Sequence, residues 1–388
     1  MRRRILLIIN FFVIVVFTGC NRDALFNADE AILFIDLGSL DEKTFPGDLI
    51  NEATYLKLET NEECLIRNID KIKFSNELIY IMDKLSRSIF VFNMDGKFMK
   101  KYHHYGRGPG EYINLDDFDI TRDGKFIYML DFSQYKVIKY SIDNKFINEI
   151  RLEFGTASFA CIDDNLLVFH QGNRINPQNR QYNYDIVYLD FDSNKPLRGY
   201  FPVKDRRMKI ANYALFSSGE QLFYMPYSTA GVYKINKDGL TKFISFSGVN
   251  QIEEKAWNNE EFIRIIHESD YHFLFRNFYI IEDLISFAFN HNQTQYRIFY
   301  SINSGTMVYG VGFPFNDPNR LPGNFEIIGT YKDNFVTSIS PSNIMRKSYE
   351  IFPIYKDHPE LHSDLIKLSK ATSINDNPII AFFKINID

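Results

Sequence analysis

The chain of 388 residues is short of sulfur and has a single tryptophan and three cysteines, Cys20, Cys64 and Cys161. There is no CxxC pair and no cysteine spacing of metal-binding type. No HExxH stretch is present. His103 and His104 are adjacent, so on a strand they face opposite sides, and His267 and His272 are five apart, which does not align them on a helix. Also missing are the Gly-Lys-Ser/Thr of a phosphate loop and the Gly-x-Ser-x-Gly of a nucleophile elbow. Charge of either sign is nowhere concentrated. Lys and Arg number 44 against 49 Asp and Glu, a net charge of −5, and without a basic stripe no nucleic-acid partner is expected. Beyond residue 20 no apolar run approaches the ~20 residues of a membrane-spanning helix.

What is present begins at the N-terminus. Arg2, Arg3 and Arg4 precede an apolar run from Ile5 to Phe17, followed by Thr18, Gly19 and Cys20. A positive start, a short apolar core and small residues before a cut describe a secretory signal. The cysteine directly after Gly19 makes it resemble a bacterial lipoprotein signal. That resemblance implies a signal peptide over 1–19, a lipid on Cys20 and a cell-envelope address, at the outer membrane rather than the inner. Residues 20–50 are mixed and turn-rich, with Pro46 and Gly47, and read as a tether. An oxidising compartment would permit Cys64 and Cys161 to pair. They lie 97 residues apart, in segments that read as different structural units, and are expected to be two separate buried thiols.

Aromatic residues make up 16% of the chain, mostly Phe and Tyr, which favour strands. From about residue 53 the chain becomes a series of short apolar segments separated by turns. The clearest unit spans Asn68 to His104: IDKIKF, LIYIMD, SIFVFN and KFMKKYHH, joined by three turns. The next unit repeats it with DDFDIT, KFIYMLD, KVIKYS and KFINEIRLEF. Asp83 aligns with Asp131, 48 residues on. Similarity at that period, with four strands per unit, is the mark of a β-propeller. Weaker copies follow, and first strands near residues 68, 116, 158, 213, 276 and 325 imply six blades. The expected fold is therefore all-β, a six-bladed propeller over 51–388. Short helical insertions are expected after Asn258 or Asn259 and over His358–Ala371. The segments Tyr55–Leu58 and Ile379–Ile387 are expected to share the last blade and close the ring.

The run 80–120, above all Gly106-Arg-Gly-Pro-Gly-Glu-Tyr112, resembles a family of six-bladed β-propeller lipoproteins of Gram-negative gut anaerobes, distantly similar to NHL-type and TolB-like propellers. The closing Asn377-Pro-Ile-Ile-Ala-Phe-Phe-Lys384 is similar to that family's C-terminal strand. The resemblance implies a fold and an address, and no assigned chemistry.

Candidate chemistry is sparse. The Gly106–Tyr112 loop runs into a strand, so it reads as a tight crossover in which glycines supply positive φ, rather than as a phosphate cradle. Asp190-Phe-Asp-Ser-Asn-Lys195 starts like a calcium loop but has Lys195 where glycine is required and Phe201 in place of the final Glu. Asp116-Asp117 and Glu260-Glu261 are adjacent acids of the kind solvated surfaces usually carry, though such pairs also serve acid–base chemistry. His170 and His291 occupy equivalent turn positions in two units, and one pair is not a metal site. Neither a metal nor a cofactor is expected.

In a four-stranded meander the two-to-three turns and the inter-blade crossovers share one face. Asp83, Lys84, Asp131, His170, Arg174, Tyr227, Asn290 and His291 fall in or beside such turns, and Arg107, Glu111 and Tyr112 fall in the first crossover. A binding rim of Asp83, Arg107, Glu111, Tyr112, Asp131, His170, Asn290 and His291 is therefore expected around one mouth, although any propeller rim is polar. The favoured function is a lipid-anchored envelope propeller that binds a protein partner or a glycan or peptide ligand without catalysis. The alternatives are an envelope lyase or hydrolase acting on glycans or peptides at that mouth, and a structural subunit of an envelope complex.

Overall fold

A computed structural model of the chain describes residues 32–387, except 39, 41–44, 46–48, 157, 173–175, 177–178, 204–213, 227–230, 252–270, 293, 312–325 and 346–362. Cys20 and its signal, Arg174, Tyr227, Glu260-Glu261 and the helix expected after Asn258 lie outside the described residues. Six sheets, each built on a four-stranded antiparallel meander or its closure by the chain ends, form a six-bladed β-propeller. The first blade is Lys71–Ser75 (β3), Leu78–Asp83 (β4), Ser88–Asn93 (β5) and Phe98–Tyr102 (β6). The second is Asp117–Ile120 (β7), Phe126–Asp131 (β8), Lys136–Ser141 (β9) and Phe146–Arg151 (β10). Blades three, four and five begin with Ser158–Cys161 (β11), Leu215–Ser218 (β15) and His272–Ile281 (β19). The second strands of blades three and five are Leu166–His170 (β12) and Leu284–His291 (β20).

The middle strands of blades one and two are almost wholly buried, as Leu78-Ile-Tyr-Ile-Met-Asp83 and Phe126-Ile-Tyr-Met-Leu-Asp131 illustrate. Both faces of such a strand are covered, which is why the sequence shows an apolar run rather than alternation. Buried apolar clusters mark the seam between each blade and the next. Ile79, Ile81 and Phe90 meet Val336 and Ile380 between blades six and one, and Tyr80 and Val91 meet Phe118 and Met129 between one and two. The other seams repeat this pattern. Cys64 and Cys161 are buried, free thiols in separate seams. Of the two expected helices, the second is described over Ser363–Lys370 (α1), with Leu368 packed on blade six.

Blade six joins the two ends of the chain. Gly329–Tyr331 (β23), Asn334–Ile339 (β24) and Ile379–Ile385 (β25) are followed in space by Ile50–Lys57 (β2), which pairs antiparallel with β25 from Ile50↔Ile385 to Lys57↔Ile379. Lys57 adds an ion pair to Asp376 at 2.7 Å. Asn377, fully buried, pins the exit from this blade into blade one. Its side chain accepts from Ile66 N–H (2.7 Å) and donates to the carbonyls of Glu59 (2.7 Å) and Cys64 (2.9 Å), while its own N–H donates to Thr60 Oγ1 (2.8 Å).

The span 20–50, expected as a tether, contains a strand. Leu33–Asp36 (β1) adds a fifth member to blade four, parallel to Gly239–Ser247 (β18), with Leu33 opposite Ile244 and Asp36 opposite Ser247. Ile35 and Leu37 are buried against Phe216, Val232 and Phe246 in the seam with blade five. Four residues of alternating burial are too short a signal to stand out, and the partner lies about two hundred residues away.

Ring closure generates the first prediction. Ending the chain after residue 376 removes β25, which leaves β2 without a partner and exposes the edge of β24, so cooperative thermal unfolding should be lost. Starting the chain at residue 37 removes only an outer strand, and the cooperative transition should persist at a lower Tm. Asn377→Leu takes the side-chain partner from the buried Cys64 carbonyl and Ile66 N–H and one donor from the part-buried Glu59 carbonyl, and should cost about 3 kcal/mol or more in a denaturant titration. A variant within about 0.5 kcal/mol of the parent would remove Asn377 from the closure.

Candidate functional site

The six first strands surround an axial cavity of about 560 Å³. Asn76, Glu77, Arg122, Glu220 and Lys332, from one-to-two turns, stand at one end of its lining. That face, where the described one-to-two turns are tight, is opposite the face where the binding rim was expected. Inside, two ion pairs lie one above the other: Lys71 Nζ to Asp117 Oδ1 at 2.7 Å and Lys73 Nζ to Asp119 Oδ1 at 2.8 Å. Both acids then reach the third blade. Asp117 Oδ2 accepts from Phe159 N–H and Asp119 Oδ2 from Cys161 N–H, each at 2.9 Å. Lys73 also donates to Ser217 Oγ of blade four (2.7 Å). Ser218 and Thr330 continue the polar lacing toward blades five and six, with Ser218 Oγ accepting from Ile280 N–H at 3.1 Å.

Burial works against charge here, and the partners win. Burial would lower the pKa of Lys71, but Asp117 and Asp119 hold it above the ordinary lysine value. Burial would raise that of Asp119, but Lys73, Lys71 and the Cys161 N–H hold it below the ordinary aspartate value. Both shifts favour the charged forms of Lys71 and Asp119. Sequence reasoning weighed Asp117 only as the neighbour of Asp116 and passed over the other three, although Lys71-Ile-Lys73 and Asp117-Phe-Asp119 carry a signal: like charges two apart on strands that otherwise read as core.

The expected rim residues divide sharply. Asp83 and Asp131 are fully buried at the ends of β4 and β8, and both carboxylates are occupied by the backbone. Asp83 accepts from Leu85 and Arg67 N–H, each at 3.0 Å; Asp131 accepts from Gln134 (3.0 Å) and Ile113 (2.6 Å) N–H. Each acid ties its own turn to the incoming crossover. Asp70 and Asp116 repeat the device one strand inward, accepting from Lys84 and Phe132 N–H at 2.8 Å. Asp116 and Asp117 thus turn to different partners. Burial raises the pKa of Asp116.

The Gly106–Tyr112 loop is a tight crossover. Gly110 has φ +76°, and a Cβ on Gly106 would fall 1.9 Å from the Glu111 carboxylate, which folds back to accept from Gly108 N–H at 2.8 Å. Tyr112 is buried, its phenol pKa pushed up to about 12 by burial, and donates to the Arg87 carbonyl (2.9 Å). Arg107, by contrast, is exposed and makes no hydrogen bond to a described residue.

The other rim residues gather in two further places. His170 is buried beside Asp185 (Nε2 to Oδ2, 3.5 Å), whose Oδ2 also accepts from Tyr224 Oη at 2.5 Å. His291 stacks on His272 in blade five, ring centroids 4.1 Å apart, next to Asn290. His170 and His291 therefore serve different neighbours. Among the described residues no group of three or more His, Cys, Asp and Glu side chains is arranged to hold a metal ion.

The chain belongs to the family defined as Domain of unknown function DUF4934, whose model matches residues 44–384. A crystal structure of a candidate exported protein from Bacteroides fragilis NCTC 9343 shares the fold at 20% identity, with a TM-score of 0.73 over 91% of this chain and 99% of that one. A member of the DUF4221 family from Bacteroides vulgatus ATCC 8482 is similar at 11% identity and a TM-score of 0.55, over 87% of this chain and 98% of that one. At these identities the likeness is one of fold. No curated protein matches the chain.

Asp119→Asn should uncover the cost of the paired charges. It removes the counter-charge of Lys73 and should lower stability by about 3–5 kcal/mol at neutral pH, as for a broken buried pair. Because the folded pKa is depressed, the contribution of Asp119 is complete above its ordinary value of 3.8 and is lost as pH falls below that, through the folded value. The parent should therefore lose stability steeply below about pH 4 in acid titrations followed by circular dichroism. The variant should show a shallower acid limb, and equal limbs would remove Asp119 from the acid response.

Proposed function

We propose that the protein is a lipid-anchored propeller of the bacterial cell envelope, NHL-like and TolB-like in kind, that binds a ligand or protein partner and performs no catalysis. The observation that carries the binding reading is the state of the axial cavity. Its acids and lysines are paired at 2.7–2.8 Å and tied to neighbouring blades. A general acid or base works best with a pKa near the working pH; the shifts of Lys71 and Asp119 run the other way. Such groups give a rigid, charged wall for recognition. The cavity volume falls within the range of small-molecule sites.

The address rests on the N-terminal signal ending at Cys20, with the fold shared with a candidate exported Bacteroides protein in support. Lipid on Cys20 is the membrane attachment, and the outer membrane is the favoured location. The Cys20→Ser variant should move from the detergent phase to the soluble fraction on Triton X-114 partition of cells expressing the full chain. Retention in the detergent phase would overturn the anchor.

Binding and catalysis separate in one measurement. The soluble Cys20→Ser protein is incubated with panels of envelope oligosaccharides and peptides, and each mixture is followed by thermal shift and by mass spectrometry. The expected result is a raised Tm with at least one panel member and no change in its mass. A cleaved or eliminated product would overturn the binding reading in favour of a hydrolase or lyase.

A further inference from the structure

The crossover face of blades one and two has an unusual division of charge. The acids of its turns and the first crossover are Asp70, Asp83, Glu111, Asp116 and Asp131. Every one accepts a backbone N–H of the same face, at 2.6–3.0 Å. The arginines are treated oppositely. Arg67 and Arg107 are exposed and make no side-chain hydrogen bond to a described residue. Arg87 lies over the ring of Tyr105 at 5.0 Å, and that ring is 57% exposed. The outward charge of these turns and of the crossover between them is therefore cationic, even though the chain as a whole is acidic. Glu149, its side chain partly exposed, reaches the same crossover by accepting from Gly110 N–H (2.9 Å) and is paired with Lys136 at 3.1 Å; Glu62 and Glu63 are exposed at the turn that leaves blade six.

Apolar side chains stand among the arginines. Leu85, at the two-to-three turn of blade one, is 65% exposed; Tyr135, at the equivalent turn of blade two, and Leu65 are exposed too. The backbone that carries them is held firmly. Arg87 and Tyr135 sit at φ 52° and 53° in turns closed by Asp83 and Asp131, and Tyr112 Oη beneath donates to the Arg87 carbonyl. Glu111 N–H donates to the Gly108 carbonyl (3.1 Å) and Tyr112 N–H to that of His104 (2.8 Å), closing the crossover on itself. A surface ordered before its partner arrives loses little entropy on binding. Tyr and Arg are the side chains that most often dominate protein interfaces, and a guanidinium offers a carboxylate two parallel donors.

We propose that this face, from Leu85 and Arg87 through Tyr105 to Arg107 and Tyr135, is the docking surface for an acidic segment of a partner protein that also bears apolar or aromatic side chains. Its carboxylates pair with Arg87 and Arg107, and its apolar side chains cover Leu85 and Tyr105. Charge complementarity selects the acidic partner, and exposed leucine favours a protein segment over an acidic glycan. The assignment rests on the protein being a binding propeller and adds to the axial cavity a second surface and the chemistry it takes.

The test selects a displayed library of random dodecapeptides on the immobilised Cys20→Ser protein, with polygalacturonate as a glycan probe in parallel. Peptides enriched on the protein should be net acidic with aromatic or aliphatic residues, and should lose affinity about tenfold or more on Arg107→Glu and on Arg87→Ala, in a salt-dependent manner. Leu85→Ser should weaken them too, with each variant's Tm matching the parent's. Enriched peptides that are neutral or basic, or that bind the arginine variants unchanged, overturn the docking face and leave the binding reading standing. Polygalacturonate bound through the same arginines with no peptide enriched overturns the protein partner. If neither probe binds, this proposal falls, while the binding reading is judged separately by the thermal-shift panel.

Discussion

The pairing of Ile50–Lys57 with Ile379–Ile385 is the constraint on which the rest of the molecule depends. A ring of blades has no stable open form, because an unclosed seam would leave the inner face of one blade and the edge of another in water. Here the closing strands lie at opposite ends of the fold, so joining them costs loop-closure entropy over the whole domain. Backbone pairing alone would leave the register free to slip. Asn377 fixes it by binding three backbone groups of the segment that leads into blade one. β1 makes the contrast clear. It lies on the outer edge of blade four and adds area to one seam without any part in closure.

Two kinds of adhesion hold the blades together, at different radii. The seams are apolar and carry the bulk of the buried surface. Around the axis, where strands converge and side chains must share a narrow space, the first three blades are joined by Lys71, Lys73, Asp117 and Asp119. A buried ion pair of this kind adds little net stability over apolar packing, but it is intolerant of a missing partner. It therefore serves registry between blades better than strength, and it leaves a charged, pre-ordered wall around the cavity.

The same economy governs the crossover face. Asp70, Asp83, Asp116 and Asp131 hold turns and crossovers by accepting backbone N–H groups, a task for which a short carboxylate is well suited. With its acids turned inward, that face shows arginine, tyrosine and leucine to the outside. Membership of a family of unknown function and likeness of fold to Bacteroides proteins do not select a ligand. The proposed acidic partner rests instead on the distribution of free and engaged charge on this face.

The blade count, the approximate start of each blade and the closure by terminal strands were legible in the sequence, because each rests on local pattern. Short apolar runs, turns at fixed intervals and a unit repeated at 48 residues are properties of neighbouring residues. The alignment of Asp83 with Asp131 was legible in the same way, as a repeat. Their role was not. The N–H groups that occupy them come from Arg67 and Ile113, 16 and 18 residues away, and only folding brings those donors to the turn. Nor could the sequence disclose that β1 joins β18, or that Lys73 and Asp119 meet on the axis, since nothing local links strands of different blades. Sequence by itself determined the repeating element and the order of the strands, because hydrophobic periodicity and turn chemistry act over a few residues. Tertiary structure alone decided which polar groups are engaged and which are free, because burial and hydrogen bonding depend on what the closed ring brings alongside.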